Sequence, residues 1–256
     1  MTELPHGLVL GKVIDRVDWN EQLFTLFVRA PVQSYVAGQF TKLALFDGNE
    51  LVRRAYSMVN APKIHEGEAI LEFLVIKDEQ GLLSPKLHAL NVDDDIYVGS
   101  TPSGYMTLQE VPDHVEDLWM LSTGTAVGPF LSILEELASS QRFNHLVLVH
   151  AVRQQKDLTY SERIQQKVTL FEGKLKYVPI VSRELVAGAL RGRIPDLLLN
   201  GELQRSAKLD FNQERSFVFL CGNPGMVRDT SESLKTLGLT KHLRKKPGQF
   251  SSENYW

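Results

Sequence analysis

Arg54 and Tyr56 stand two residues apart in the stretch RRAYS, and in an extended strand they share one face. A cation beside a flat ring suits a ligand that carries both phosphate and aromatic parts. Strict alternation turns the Ser57 hydroxyl to the other face unless the strand ends or bulges there. Taken singly, a surface arginine and a core tyrosine are the commoner explanation. A second stretch, GLLSP, places Ser84 as a good N-cap and Pro85 as a good first helical residue. The free N–H groups of such a helix start, with Arg54, could hold a pyrophosphate.

Two more stretches follow apolar runs. STGTAVGP, Ser122 to Pro129, is a small-residue loop running into a helix expected to begin near Pro129. It lacks both Gly-Lys-Ser/Thr and GxGxxG, so alone it is equally a tight strand–helix turn. CGNPGMVRD, Cys221 to Asp229, is another tight turn into a helix. Cys221 reads as a small buried strand residue or as a side chain facing the reactive ring of a cofactor. Arg153 follows HAV, Arg183 follows VS, and Arg191 and Arg193 sit in LRGRIP. Three strand-end positions with arginine point to an anion, because the planar guanidinium fork grips phosphate oxygens two at a time. Where a dinucleotide fold for NAD places an acid at the second strand end, Arg153 favours a 2′-phosphate.

The elements that must position these residues fall into two halves. Up to about Thr101, six short runs rich in β-branched and aromatic residues are separated by turn residues: LVLGKVIDRV, QLFTLFVRA, QFTKLALF, LVRRAYSMV, AILEFLVIK and DIYVG. They predict an antiparallel barrel or sandwich, interrupted by one short helix over SPKLHAL. After it, LWMLS, HLVLVHA, KLKYVPIVS and SFVFLCG alternate with helical segments, among them GPFLSILEELASS, YSERIQQKVTLF, IPDLLLNGEL and GMVRDTSESLKTLG. That alternation predicts a parallel, Rossmann-like sheet with helices on its faces. In such sheets ligands sit outside the carboxyl ends of the strands, where the second set of motifs falls.

Composition narrows the classes. The 256 residues are 43% hydrophobic and 23% charged, with net charge −3, ordinary for a globular protein and wrong for a general nucleic-acid binder. A single cysteine excludes an intramolecular disulfide and a four-cysteine iron–sulfur or zinc site, and suits the cytoplasm. No signal peptide or membrane span is expected from MTELPHGLVLGK or the later apolar runs. No coiled-coil pattern appears, so a monomer is the default. The tail SSENYW places two aromatics last, where termini are usually polar and frayed. They either pack on their own domain or cover a flat partner that the sequence does not contain.

As a set, Arg54-Ala55-Tyr56-Ser57, Gly81-Leu82-Leu83-Ser84, Thr123 to Pro129 and Cys221 to Met226 resemble, in order and spacing, the ferredoxin–NADP+ reductases. RAYS, HAVR, VSRE, GRIP and CGNPGMVRDT, with the terminal Tyr-Trp, are similar to the bacterial ferredoxin/flavodoxin–NADP+ reductases. The resemblance covers almost the whole chain. It implies an N-terminal six-stranded antiparallel FAD-binding β-barrel, residues 1–102, and a C-terminal Rossmann-like, five-stranded parallel NADP-binding sheet, residues 103–256, whose aromatic tail returns to the flavin.

The same resemblance assigns residues. Arg54 would neutralise the FAD pyrophosphate, Tyr56 would lie against one face of the isoalloxazine and Ser57 near its N5, and Ala55 would also bind FAD. Val75, Ile76, Lys77 and Asp78 would border FAD, and Leu83, Ser84 and Pro85 its phosphates. Thr123 would lie between flavin and nicotinamide. Val152, Arg153, Ser182, Arg183 and Arg193 would hold the 2′-phosphate end of NADP, and Asn223, Pro224, Gly225 and Asp229 the rest of its path. Cys221 would sit near the nicotinamide; Tyr255 would cover the second flavin face and Trp256 the adenine of a folded-back FAD. Ser57, Cys221 and Tyr255 would form the catalytic group as positioning and hydrogen-bonding side chains, not nucleophiles. The implied reaction is hydride transfer between NADPH and FAD, with single electrons passed to or from a separate acidic carrier, ferredoxin or flavodoxin. Lys241 to Gly248, with Arg53, is a candidate docking patch, although a solvated charge run is the commoner origin of such a stretch. The alternatives are an NADPH-dependent flavin or oxygenase-component reductase and a non-enzymatic flavin-binding redox regulator.

Overall fold

The computed structural model describes residues 4–243 and 245–255. Its first half is an antiparallel sheet of β1 (Leu8–Asp18), β2 (Leu23–Ala30), β3 (Phe40–Asp47), β4 (Glu50–Ser57), β5 (Ile64–His65), β6 (Glu68–Ile76) and β7 (Asp95–Gly99), in the order β4-β3-β7-β1-β2-β6-β5. Six of these are the expected strands. The additional one, β5, is a two-residue partner of β6 across Glu66-Gly67, both with positive φ, the tight hairpin geometry that needs no hydrophobic pattern. The sheet curls around Phe24, Leu26, Val28, Leu43, Leu71, Phe73 and Val98, all fully buried. Beyond β4 the Val59 N–H donates to the Glu72 carbonyl at 2.8 Å. Asn60 then knits the same seam, accepting from the Glu72 N–H at 2.8 Å and donating to the Ile70 carbonyl at 2.8 Å. These bonds satisfy an edge that an open sheet would leave bare.

The second half is a parallel sheet of β8 (Asp117–Thr123), β9 (His145–Val152), β10 (Leu175–Val181), β11 (Ser216–Gly222) and β12 (Phe250–Asn254), ordered β10-β9-β8-β11-β12. Alternate residues feed opposite faces. Leu118, Met120, Leu146, Leu148, Phe217 and Phe219 pack with α2 (Gly128–Glu136) and α3 (Ser161–Leu170). Trp119, Leu121, Val147, Val149, Val218 and Leu220 pack with α4 (Ile194–Leu199), α5 (Glu202–Ala207) and α6 (Pro224–Thr236). Burial on both faces explains why these strands read as continuous apolar runs. The first of these clusters also takes in Ala37, Val59 and Leu74 from the curled sheet, so the two halves share one apolar seam.

Three local expectations change. Ser84 opens α1 (Ser84–His88), and Leu83 is its N-cap; the Ser84 hydroxyl accepts from the Asp78 N–H at 3.0 Å and closes the preceding loop instead. α2 begins at Gly128, not Pro129, and a 3-10 turn over Gly124–Val127 runs into it. IPDLLLNGEL is two helices, because Gly201 takes a left-handed φ of 76° between them. The fifth parallel strand is the tail itself: FSSEN is too polar to be read as a strand, yet β12 pairs with β11 from Phe250 to Asn254. Among the described residues no helix is long and apolar enough to cross a membrane.

Candidate functional site

Strand β4 brings RAYS to the rim of the curled sheet. Arg54 is exposed and its guanidinium donates to the Arg53 carbonyl at 2.8 Å; no ion pair engages it among the described residues. Ala55 is exposed beside it, and Tyr56 is half-buried against the barrel core. Burial pushes the Tyr56 hydroxyl up to about 12, while the Arg54 charge pulls the other way. The strand ends at Ser57, which is buried, and this end frees its hydroxyl from simple alternation.

The carboxyl ends of the parallel strands meet this rim. Thr123 ends β8, and its hydroxyl accepts from the Asn223 N–H at 3.3 Å. Gly222 ends β11 with φ 154°; a Cβ there would lie 2.1 Å from Thr123 Oγ1 and 2.5 Å from Met226 Cε, so no other residue fits. Cys221 is buried one residue earlier. Burial pushes its thiol well above the usual range and the neighbouring Glu253 adds to the shift, so the sulfur is protonated at neutral pH and is not a nucleophile.

The tail delivers the last two groups. The Tyr255 N–H donates to the Gly222 carbonyl at 2.9 Å, extending the β11–β12 ladder past Asn254. Its ring packs on the shared apolar cluster, and its hydroxyl is hydrogen-bonded to both the side chain and the backbone of Ser57. Burial holds that phenol well above its usual range, Cys221 adds to this, and Ser57 opposes it. Glu253, absent from the sequence expectations, lies opposite Cys221 in the strand register and accepts from the backbone N–H of Tyr105 at 3.0 Å and from that of Met106. Burial raises its carboxyl and these two N–H groups partly offset the rise. Its signal was present: Glu253 and Tyr255 are two apart in an extended segment and so share a face. Trp256 lies outside the described residues.

The arginines form a separate group. Val152 ends β9 buried, and Arg153 beyond it is exposed. Ser182 follows β10, its N–H donating to the Val152 carbonyl at 3.0 Å and its hydroxyl to the same oxygen at 3.2 Å. The Arg183 N–H donates to the Arg153 carbonyl at 3.0 Å, which places the two arginines side by side. Arg193 is the exposed N-cap of α4. Among the described residues no ion pair engages Arg153, Arg183, Arg191 or Arg193, an arrangement that leaves the whole set free for an anion.

Several expected positions have their side chains committed elsewhere. Val75 and Leu83 are fully or almost fully buried in the barrel core and offer only backbone outward. Ile76 is exposed, Lys77 pairs with Glu79 at 2.7 Å, and Asp78 is exposed in the loop that Ser84 closes, with Pro85 behind it in α1. Asn223 caps α6, its Oδ1 accepting from Gly225 and Met226 N–H at 2.9 and 3.3 Å, and Pro224 is the first helical residue. Asp229, one turn on, is exposed and paired with Arg228 at 2.9 Å. Lys241 and His242, at the head of the charged stretch Lys241 to Gly248, flank the start of β12 beside Phe250, whereas Tyr255 lies past its other end. A strand of this length puts roughly 13–17 Å between them, so that charge run does not border the Tyr56–Tyr255 cleft.

Ser57, Tyr56, Thr123, Cys221, Glu253 and Tyr255 thus converge where the barrel rim meets the sheet, with the arginines farther along the same sheet edge. Among the described residues no cluster of His, Cys, Asp and Glu could hold a metal ion. A protonated thiol, a buried phenol and a buried serine form no general acid–base pair for hydrolysis; they form an apolar junction between the two halves, with the Arg54 cation exposed beside Tyr56.

Comparison with known proteins gives a consistent set. Residues 120–232 match the family model described as an oxidoreductase NAD-binding domain. The chain is 49% identical to the flavodoxin/ferredoxin–NADP reductase of Escherichia coli (strain K12), covering 97% of this chain and 98% of that one. It is 42% identical to the protein of the same name from Buchnera aphidicola subsp. Baizongia pistaciae, over 97% and 98%. Among solved structures, a ferredoxin NADP+ reductase from Neisseria gonorrhoeae with bound FAD and NADP superposes with a TM-score of 0.87 at 29% identity, covering 98% of this chain and all of that one.

Proposed function

The chain belongs to the flavodoxin/ferredoxin–NADP reductase family, and from that premise we propose that it binds FAD and NADP(H) and moves hydride between them. Single electrons then pass to or from a flavodoxin or ferredoxin as a separate partner. The observation that carries the reading is the convergence of Tyr56-Ser57 from one half with Thr123, Cys221 and Tyr255 from the other, beside a set of unpaired arginines. Residues 1–102 form the FAD unit and 103–256 the NADP unit, a division supported by the gap between β7, ending at Gly99, and β8, starting at Asp117. A monomer in the cytoplasm is the reading consistent with the single buried cysteine.

The residues present fit both cofactors. Arg54 is a cation without an ion-pair partner beside the half-buried Tyr56 ring, as a ligand with phosphate and aromatic parts requires. Gly222 lets Thr123 and Met226 close in on the strand end, where any Cβ would displace them. Arg153, Arg183 and Arg193 supply the forks for a 2′-phosphate. From β12 to β10 the sheet edge spans four strand spacings, about 19 Å, long enough for an extended dinucleotide with its phosphate end at the arginines. The bound flavin and nicotinamide supply the redox chemistry itself.

The chain's own work is alignment and exclusion of water. With FAD bound, Tyr56 would lie against one flavin face and Tyr255 against the other; Tyr255 is held by Ser57 and would have to give way for the nicotinamide to enter. Ser57, released from Tyr255, has a hydroxyl free to donate toward the flavin edge. Cys221, protonated, would sit beside the nicotinamide as a neutral side chain. Thr123 and Gly222 fix the floor. Val75, Ile76, Lys77, Asp78, Leu83, Ser84 and Pro85 border FAD through backbone, and Val152, Ser182, Asn223, Pro224, Gly225 and Asp229 line the NADP path. Trp256, outside the described residues, is proposed to reach the adenine of FAD.

An anaerobic absorbance titration tests the reading. The purified protein should be yellow, NADPH should bleach it stoichiometrically, and NADH should need far higher concentration. A colourless protein, or a yellow one that NADPH does not bleach, would overturn it.

A further inference from the structure

At the boundary between the two halves lies a partly buried ionic cluster, with Glu72 at its buried end, that none of the roles above uses. Arg163, on α3, donates from Nη1 to both carboxylate oxygens of Glu72 at 2.9 Å and from Nη2 to Glu135 Oε1 at 2.6 Å. Glu72 belongs to β6 of the barrel and its residue is only 4% exposed. Glu135 belongs to α2, and its second oxygen accepts from the Ala61 N–H of the barrel at 2.8 Å. Ser132, one turn earlier on α2, donates to the Asn60 carbonyl at 2.8 Å. Gly128, another turn back, faces Val59 so closely that a Cβ would lie 3.1 Å from its Cγ2. Gly128, Ser132 and Glu135 recur at helical spacing, so one face of α2 grips three consecutive barrel residues.

Those residues matter by position. Val59–Ala61 begin two residues after Ser57, and α2 begins five residues after Thr123. The grip therefore ties the flavin side of the cleft to the nicotinamide side through two short stretches of chain. We propose that Arg163 is a positioning residue for hydride transfer: by neutralising Glu72 and Glu135 together it locks α2 onto Val59–Ala61 and sets Ser57 against Thr123. The step it serves rests on the function proposed above; the lock itself does not.

The physical case is one of charge. A carboxylate as buried as Glu72 is tolerated only when paired, and breaking a buried pair is far more damaging than replacing it whole. Without Arg163, Glu72 and Glu135 would repel across the seam, and Glu135 would leave Ala61. Lys167, one turn along α3, adds a second positive charge toward Glu135, but it makes no ion pair within 4.0 Å with either carboxylate among the described residues. Tyr160 holds the same seam from the other side, its hydroxyl 2.7 Å from Thr25 Oγ1 and its ring under the Arg163 guanidinium at 5.4 Å.

Three variants and three readouts decide the matter, with the FAD-loaded protein used throughout. Hydrogen exchange should show the Ala61 amide exchanging at least about tenfold faster in Arg163→Met, with barrel-core amides such as Leu26 unchanged. Stopped-flow reduction by NADPH should slow about ten- to a hundredfold, the range expected for a misplacement near 1 Å, while half-saturation by NADPH shifts less than about threefold. Arg163→Lys should recover part of the rate. The triple variant Arg163→Met, Glu72→Gln, Glu135→Gln leaves no charge stranded; it should regain thermal stability yet remain slow, and it decides the question if the single variant does not fold. Wild-type protection at Ala61 in Arg163→Met, or a triple variant whose rate returns with its stability, would overturn the proposal. If NADPH fails to bleach the wild-type protein, the functional reading falls, and the exchange data alone still judge the lock.

Discussion

At the scale of single residues, the proposed site combines arginines left without ion-pair partners and buried groups kept neutral. Arg183 stands exposed beside Arg153, joined by a backbone hydrogen bond and engaged in no ion pair among the described residues. Arg183→Ala is expected to weaken NADPH binding about ten- to a hundredfold, as loss of a charge-assisted contact of roughly 1.5–3 kcal/mol implies, with NADH binding nearly unchanged. Equal losses for the two coenzymes, measured by titration, would remove the 2′-phosphate role. His150 is the opposite case. It is fully buried in β9, Nε2 lies 3.2 Å from the Gly124 carbonyl and so donates to it, and Nδ1 has no partner. Burial lowers its pKa from 6.5 to about 4, only partly opposed by that hydrogen bond. The unfolded chain takes up a proton as pH falls through 6.5, whereas the folded chain does not until about 4. Stability is therefore lost as pH falls across that window, by up to about 3 kcal/mol. His150→Gln should flatten the fall in urea-denaturation stability between those pH values; an identical slope would show that other groups cause it.

Elements show how local pattern and tertiary setting divide the work. β8 to β11 were readable because burial on both faces demands unbroken apolar runs. β12 was not, because FSSEN has one large apolar residue. That residue, Phe250, is fully buried in the second helix-covered cluster and pairs with Val218. Phe250→Ala should cost about 3–5 kcal/mol, lowering Tm by roughly 10 °C, and should loosen flavin by unseating the strand that carries Tyr255. Unchanged flavin affinity would mean that the tail is held at Tyr255 and not by its strand. The helix starts followed the same logic. Ser84 has the right residue type for an N-cap, but its hydroxyl meets Asp78 six residues back, a contact that only the folded loop provides. Asn223 caps α6 with its own neighbours Gly225 and Met226, and so behaves as local chemistry dictates.

At the scale of the whole molecule, two halves form one unit through a shared apolar cluster and an ionic lock. The family name carries flavodoxin or ferredoxin as the electron partner, and a single cysteine leaves these 256 residues without the ligands for a four-cysteine iron–sulfur centre of their own. Cytochrome reduction driven by NADPH is accordingly expected to be slow until a flavodoxin or ferredoxin is added, and the stimulated rate should fall as salt screens an encounter with an acidic carrier. Equal rates with and without carrier would favour a free-flavin reductase. Of the candidate docking stretch Lys241 to Gly248, Lys241 pairs beside Phe250 at the start of β12, at the opposite end of that strand from Tyr255.

The sequence by itself determined the two-part architecture, the strand ends that carry the motifs, and the residue types suited to phosphate and flat rings. Those features follow from periodicity, turn chemistry and spacing, all of which act over a few residues. Only the tertiary structure decided that Tyr255 meets Ser57, that Glu253 faces Cys221, and that Arg163 joins Glu72 across 91 positions. Such contacts depend on which distant surfaces the packed core brings together. A charged side chain reads the same in sequence whether it meets water or a buried partner.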